Sequence, residues 1–164
     1  MTRTGWLLVG LAGAASLLAY QKKTQIITGV QDLITPRGIR NNNPGNIRLS
    51  ETRWQGEAAQ QTDGAFIQFV SPEYGIRALS KILDTYANDY QLSTVAGIIS
   101  RFAPSNENDT NAYIQAVSDS IGVGPNTVIS MANYKPGLIA AIVAHENGQQ
   151  PYTDAQINAG IVLA

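Results

Sequence analysis

The first part of the chain is a continuous apolar run. Residues 4–20 are seventeen consecutive uncharged residues, bounded by Arg3 on one side and by Lys22 and Lys23 on the other. A helix of that length rises about 25 Å, at the short end of what crosses a bilayer. Because the run is apolar on all sides, we predict a transmembrane anchor at residues 1–23 and a single-pass membrane protein. The alternative is a cleaved secretory signal, although the run lacks a clear cleavage site.

The rest of the chain shows a helical pattern. We interpret residues 24–36 as a linker with a short strand at 25–30, and residues 37–164 as one domain. In this domain apolar residues recur at three- and four-residue spacing between capping residues and glycine stops. The helices predicted from this pattern are 72–88, 94–102, 109–121, 137–147 and one from 154 onward, with a further short helix at 127–133.

Two segments of the domain break the helical pattern. Residues 37–48 (RGIRNNNPGNIR) contain glycine, proline and four asparagines, which favour turns, so we predict an ordered loop. Residues 52–69 combine a Thr-Asp-Gly turn signal with alternating apolar residues, which predicts a small β-hairpin. The predicted fold class is therefore α+β and mainly α.

Composition and charge narrow the chemistry. From Thr24 onward eight Lys and Arg stand against twelve Asp and Glu, a formal charge of −4, which argues against binding to nucleic acid. The chain has no cysteine and one histidine, His145, so a thiol nucleophile is excluded and a zinc site is disfavoured. We predict no metal and no cofactor. The hydrolytic chemistry that remains uses one or two carboxylates as acid and base.

Glu146 is the carboxylate that differs from the others. It ends an apolar helix, with Ile142 and Val143 one turn earlier. Partial burial and the negative end of the helix dipole both favour the protonated form of a carboxyl group, which is the form of a general acid. The alternative interpretation is an ordinary helix-terminal glutamate beside the glycine cap Gly148. His145 faces another side of the helix, where we expect a packing or supporting role.

A family resemblance adds to this interpretation. The segments RGIRNNNPGNIR, WQG, FIQF, SPEYGIR and APSNENDT, spread over residues 37–110, resemble a group of bacteriophage virion proteins. These are often described as structural proteins, including minor membrane-associated proteins of tail-less phages with an internal membrane. The resemblance implies a virion protein of the internal membrane, with lipid and other capsid or virion membrane proteins as partners.

The same stretch is also similar, less closely, to the glucosaminidase branch of the lysozyme superfamily. That resemblance implies a lysozyme-like helical domain with a small hairpin. In the family the catalytic glutamate precedes the asparagine loop, and no glutamate precedes Asn41 here. An apolar helix of the required kind lies instead at residues 138–148. We therefore expect a circular permutation that folds this helix back beside the asparagine-rich loop, because chain termini often lie close together.

The resemblance assigns roles to seven residues. Glu146 becomes the acid, with Asn46 and Tyr113 lining the sugar cleft. Asp63 is the first choice for a second carboxylate and Glu57 the second, although Asp-Gly is also ordinary turn chemistry. Trp54 and Tyr74 are candidates for stacking on sugars, or for the core. Without a second carboxylate, the acetamido group of the substrate would be the internal nucleophile, as in lytic transglycosylases.

Two functions follow from these roles. The first is a membrane-anchored glycosidase that cleaves the glycan strands of peptidoglycan, as a muramidase, glucosaminidase or lytic transglycosylase, during penetration of the host cell wall. The second is a non-catalytic structural protein of the virion membrane with a lysozyme-like binding domain. Glu146 distinguishes them, because the first needs its carboxyl group for chemistry.

Overall fold

The computed structural model describes residues 17–18, 20–25, 34–105 and 109–164. The chain divides into two units, residues 1–35 and residues 36–164. In the first unit, residues 17–18 and 20–25 are helical and exposed. The predicted strand at 25–30 lies outside the described residues except for Gln25, which is helical.

The prediction of a single-pass membrane protein is corrected. Among the helices of the described residues, none is both long enough and apolar enough to cross a bilayer. Most of the predicted anchor, residues 1–16 and Ala19, lies outside the described residues. The described part of that run, residues 17–18 and Tyr20, is exposed helix.

The second unit is built from helices. Their bounds are α1 Arg37–Arg40, α2 Pro72–Asn88, α3 Val95–Phe102, α4 Thr110–Ile121, α5 Met131–Asn147 and α6 Asp154–Val162. The α2 helix packs against α5 and α6, and α4 packs against α3 and α5. The α5 helix thus occupies the centre of the unit.

Local sequence signals fix most of these helix ends. The side chains of Thr94 and Asp109 accept hydrogen bonds from backbone N–H groups in the first turns of α3 and α4. Thr153 caps α6 through a reciprocal capping box with Gln156. The α4 and α5 helices end at Gly122 and Gly148, both with a positive φ that glycine adopts at little cost.

One prediction about the helices was wrong. A short helix at 127–133 and a separate one beginning after Pro136 were expected, but α5 is continuous through this proline. The N–H groups of Asn133 and Tyr134 already bond to the carbonyl of Ser130, so the helix has begun one turn before Pro136. In the second turn of the helix, this proline removes one helical hydrogen bond and crowds the carbonyl four residues earlier. The buried face that follows holds the helix together.

The main core lies between α5 and the helices around it. Leu138, Ile139, Ile142 and Val143 on α5 are fully buried. They belong to one cluster with buried residues of the neighbouring helices, among them Ile76, Leu79, Leu83, Ile98, Ile99, Tyr113 and Val117. Burial on this scale anchors the C-terminal end of α5, which carries the candidate acid.

The predicted β-hairpin, and with it the α+β fold class, was wrong. The described residues contain no strand; they contain isolated antiparallel bridges, two of which pair Arg48 with Phe66 and Glu57 with Phe69. Glutamine side chains replace a regular ladder, since Gln68 accepts from the backbone of Thr62 and Gln61 accepts from the backbone of Gln68. Side-chain hydrogen bonds of this kind compete with regular strand pairing.

The segment 37–48 also differs in part from the prediction. It begins with the single-turn helix α1 and continues as turns. Asn42 and Asn46 have positive φ angles of 51° and 48°. Asparagine adopts this left-handed region more readily than most residues, which explains the asparagine-rich composition of the loop.

Candidate active site

The asparagine-rich loop, residues 41–48, is held by its own side chains. Asn43 is fully buried, and its amide donates to the carbonyls of Ile47 and Ile67 at 2.8 Å each. Its Oδ1 accepts from the N–H of Ile47 at 2.9 Å. The amide of Asn42 donates to the carbonyl of Phe69 at 3.0 Å. Buried amides satisfied in this way fix a loop that has no regular ladder.

The end of α5 is joined to this loop through Asn147. Its Nδ2 donates to the carbonyl of Pro44 at 2.8 Å and to that of Val143 at 2.9 Å. Gly38 allows this close approach, because a β-carbon there would lie 2.5 Å from Asn147 Oδ1 and 2.7 Å from Asn46 Oδ1. The structure therefore places the C-terminal end of α5 beside the asparagine-rich loop.

The carboxylate of Glu146 lies at this junction. Its Oε2 accepts from Asn46 Nδ2 at 2.9 Å, and its Oε1 accepts from the Tyr113 hydroxyl at 3.0 Å. The residue is half-buried. Three predicted site residues that are distant in sequence are thus brought into direct contact, and each carboxylate oxygen has a neutral donor.

Tyr113 is held rigidly beneath the carboxylate. The residue is 1% exposed, and its ring is stacked on that of His145 with centroids 3.5 Å apart and planes 14° apart. Phe102 contacts the same ring edge-to-face. Burial, then the charge of Glu146 and the hydrogen bond to it, raise the pKa of the Tyr113 phenol. Tyr113 is therefore a neutral hydrogen-bond donor across the physiological range.

A cleft of about 380 Å³ opens beside Glu146. Asn46 and Arg48 of the asparagine-rich loop line one part of it. Its aromatic lining comes from Phe66, Tyr86 and Phe102. The volume lies within the range of small-molecule sites, and the mixture of aromatic rings with a few polar groups suits a sugar.

Asp63, the first choice for a second carboxylate, is not among the residues that line the cleft. Its oxygens accept from Arg37, from Asn41 Nδ2 at 2.7 Å, and from the N–H groups of Ala65 and Phe66. These contacts, the one with Arg37 above all, hold the pKa of Asp63 well below its usual range. Asp63 thus ties segment 61–66 to α1.

Glu57, Trp54 and Tyr74 also lie away from the cleft lining. Glu57 accepts from Arg53 and from the N–H of Trp54, and so holds a turn. Trp54 and Tyr74 pack against a second small core of Ile67, Phe69 and Ala78. The structure therefore places the two aromatic residues in packing positions.

Sequence reasoning did not identify the aromatic lining of the cleft. Tyr86 extends the apolar face of α2, and Phe102 ends α3. Both positions are typical of core residues, so nothing in the sequence placed them in a cleft. The stacking of His145 on Tyr113 was missed as well. Among the described residues, no group of three or more His, Cys, Asp or Glu is placed to hold a metal ion.

Comparison with known proteins identifies the family. No protein-family model matches the chain. Over 153 residues the chain is 40% identical to Protein P5 of Pseudoalteromonas phage PM2, a match that covers 92% of this chain and 91% of that protein. This chain belongs to the family of Protein P5. The resemblance to bacteriophage proteins, inferred from five segments of residues 37–110, is thereby confirmed at the level of the family.

Proposed function

We propose that this chain is a virion-associated phage protein that cleaves the glycan strands of peptidoglycan, with Glu146 as the catalytic acid. One observation carries the proposal. A half-buried carboxylate lies in a cleft of about 380 Å³, held by donors from two separate parts of the chain, Tyr113 and Asn46. Positioned carboxyl groups beside aromatic sugar platforms are the usual machinery of glycoside cleavage.

In the proposed reaction, Glu146 gives its proton to the oxygen of the scissile glycosidic bond. The bond between that oxygen and the anomeric carbon breaks. The Glu146 carboxylate that results is stabilised by the hydroxyl of Tyr113 and the amide of Asn46, which donate to its two oxygens. Donors directed at a charge that develops during the reaction lower the barrier to it.

The nucleophile in this proposal comes from the substrate. Asp63 is fully engaged with Arg37 and Asn41, and it does not line the cleft. The acetamido oxygen of the sugar attacks the anomeric carbon instead, as in substrate-assisted glycosidases. The Glu146 carboxylate then accepts a proton from water or from a hydroxyl of the same sugar. The oxygen of that group attacks the anomeric carbon, and the bond from this carbon to the acetamido oxygen breaks. Water gives the hydrolysed sugar, and the hydroxyl gives an anhydro ring.

The experiment is turbidity clearing of purified peptidoglycan sacculi by the full chain. We expect the wild type to clear them and Glu146→Gln to lose at least about 100-fold in rate, the usual contribution of general acid catalysis. Glu51→Gln is the matched control, because Glu51 is exposed and lies away from the cleft lining. Equal clearing by wild type and Glu146→Gln would remove Glu146 from the mechanism.

The second candidate is a structural virion protein that binds glycan or a neighbouring virion protein without cleaving it. Both oxygens of Glu146 already have protein donors, so the carboxylate also functions as a link between α4, α5 and the asparagine-rich loop. That observation favours a structural role. Under this alternative the wild type releases no muropeptides, and Glu146→Gln lowers the unfolding temperature as its main effect.

A further inference from the structure

The amide of Asn46 has an unusual set of neighbours. Its Nδ2 donates to Glu146, but its Oδ1 is buried and accepts from no described residue. Asn147 Oδ1 is in the same situation. Both oxygens face Gly38, at 2.7 Å and 2.5 Å from where its β-carbon would be, and the carbonyl oxygen of Asn43 lies 2.9 Å from that point. Three partly negative oxygens therefore lie within 3 Å of one point beside Gly38.

The orientation of Asn147 is fixed. Its Nδ2 donates to two backbone carbonyls, those of Pro44 and Val143. A rotation of this amide would break both hydrogen bonds and would turn an oxygen toward two carbonyl oxygens. Asn147 Oδ1 therefore stays beside Gly38 and needs a donor.

The orientation of Asn46 is set by two contacts to Glu146, and the shorter one, to the carboxylate, is the one that protonation changes. Its Nδ2 donates to Glu146 Oε2 at 2.9 Å, with a longer contact of 3.4 Å to the backbone carbonyl of the same residue. An amide rotated by half a turn fills the same space with its nitrogen and oxygen exchanged. While Glu146 is ionised, its charge holds the nitrogen on the carboxylate side, and the two buried oxygens stay unpaired.

We propose that Asn46 is a positioning residue whose amide rotates when Glu146 takes up a proton. In the protonated state, Glu146 Oε2 donates its hydrogen to Asn46 Oδ1, and Asn46 Nδ2 turns toward Asn147 Oδ1. Asn46 Oδ1 and Asn147 Oδ1 then each accept a hydrogen bond. When the proton leaves Glu146 the amide rotates back, and its nitrogen stabilises the carboxylate.

Asn147 acts through Asn46 in this arrangement. Its oxygen has a partner only when the amide is rotated, so it favours the protonated acid. An unsatisfied buried acceptor costs about 1–3 kcal/mol, enough to matter for a single protonation step. The inference goes beyond the proposed function, because it concerns the proton on Glu146 whether or not the protein cleaves glycan.

Other titratable groups lie near the carboxylate of Glu146. Tyr113 of α4 donates to Glu146, Arg48 of the loop and Tyr86 of α2 line the same cleft, and His145 is the neighbour of Glu146 in the chain. Burial and the charge of Glu146 raise the pKa of Tyr113, so it stays neutral. Arginine keeps its charge. A control therefore replaces His145, whose ring is stacked on that of Tyr113.

Neutron diffraction on crystals of the full chain tests the rotation directly. Carbon-13 NMR of the Glu146 carboxyl group first gives the pH at which half of it is protonated. Two crystals are then needed, at about two pH units above and two below that value. At the higher pH we expect the deuterons of Asn46 to point at Glu146. At the lower pH one deuteron lies on Glu146 Oε2 and those of Asn46 point at Asn147. The same Asn46 orientation in both crystals would overturn the proposal.

A variant tests the role of Asn147 in solution. NMR of the Asn46 side-chain amide should show that Asn147→Ala lowers the pH of the rotation by about half to one unit, because only the protonated state loses a hydrogen bond to Asn147 Oδ1. The two hydrogen bonds from Asn147 to backbone carbonyls are lost from both states. His145→Phe keeps an aromatic ring against Tyr113 and should leave that pH unchanged. An unchanged pH in Asn147→Ala would contradict the role of Asn147. The wild-type diffraction stands even if this variant fails to fold.

Discussion

Tyr113 on α4 and Glu146 at the end of α5 are joined by a hydrogen bond of 3.0 Å, with the phenol donating to the carboxylate. The contact spans 33 residues of sequence, and it depends on the burial of both helices in one core. It fixes where the carboxylate lies in the cleft. The proposed function depends on this position more than on any other single contact.

Tyr113→Phe removes the hydroxyl and keeps the ring. We expect glycan cleavage to fall by about 10-fold to 100-fold, because a hydrogen bond to a charged group contributes about 1.5–3 kcal/mol. The unfolding temperature should fall as well, because the folded protein loses the same hydrogen bond, although the stacked ring remains. The measurements are the rate of muropeptide release and a thermal unfolding curve. Tyr90→Phe, at an exposed tyrosine, should match the wild type in both.

Asp63→Asn should destabilise the protein without a direct effect on the cleft. The variant loses the charge that pairs with Arg37, at an aspartate side chain only 9% exposed, and we expect a loss of about 1–3 kcal/mol at neutral pH. Urea unfolding measures it. Unchanged stability would show that the contact with Arg37 contributes nothing.

The same variant should alter the pH dependence of stability. Because folding lowers the pKa of Asp63, its contribution is present above the unfolded value of about 3.9 and is lost as the pH falls below it. The difference in unfolding free energy between the wild type and Asp63→Asn should therefore shrink as the pH falls below about 4. A difference that stays constant down to that range would contradict the assignment.

Gly75→Ala should disturb the candidate site indirectly, by displacing the asparagine-rich loop. Alanine normally stabilises a helix relative to glycine by about 1 kcal/mol. Here the added β-carbon would overlap the carbonyl oxygen of Asn42, so the asparagine-rich loop must shift. We expect lower stability and lower activity together. Gly64→Ala is the control, since nothing lies within 4 Å of its β-carbon position, and equal results for the two variants would refute the steric explanation.

Tyr152→Phe is expected to be neutral or stabilising. The hydroxyl of Tyr152 is buried and has no hydrogen-bond partner among the described residues. Burial and the charge of Glu73 raise its pKa to about 12. Wild-type stability should therefore fall as the pH rises from about 10 toward 12, and the variant should lose less. A variant less stable than the wild type at neutral pH would show that the hydroxyl has a partner.

The sequence predicted the helices better than it predicted residues 52–69, which lie between α1 and α2. Capping residues and glycine stops are local signals, so the ends of α2 and α4 could be read from the chain. The hairpin at 52–69 could not be judged in the same way. Its alternating residues fit a strand, but Gln61, Gln68 and Asp63 bond to the backbone in place of a neighbouring strand.

The site itself was partly accessible from sequence. An apolar helix that ends in a glutamate suggested Glu146, and the resemblance suggested Asn46 and Tyr113 as its neighbours. The engagement of Asp63 with Arg37 depends on the path of the loop after α1, which local patterns do not encode. The sequence also could not predict that the side-chain oxygens of Asn46 and Asn147 lack a donor among the described residues, because this depends on how the chain packs.

Product analysis tests the central claim most directly. Purified sacculi are incubated with the full chain, with Glu146→Gln or with Glu51→Gln, and the soluble products are identified by mass spectrometry. We predict muropeptides of hydrolytic or anhydro type from the wild type and from Glu51→Gln, and none above background from Glu146→Gln. Release of the same products by Glu146→Gln, or no release by the wild type, would contradict the assignment of Glu146 as the catalytic acid.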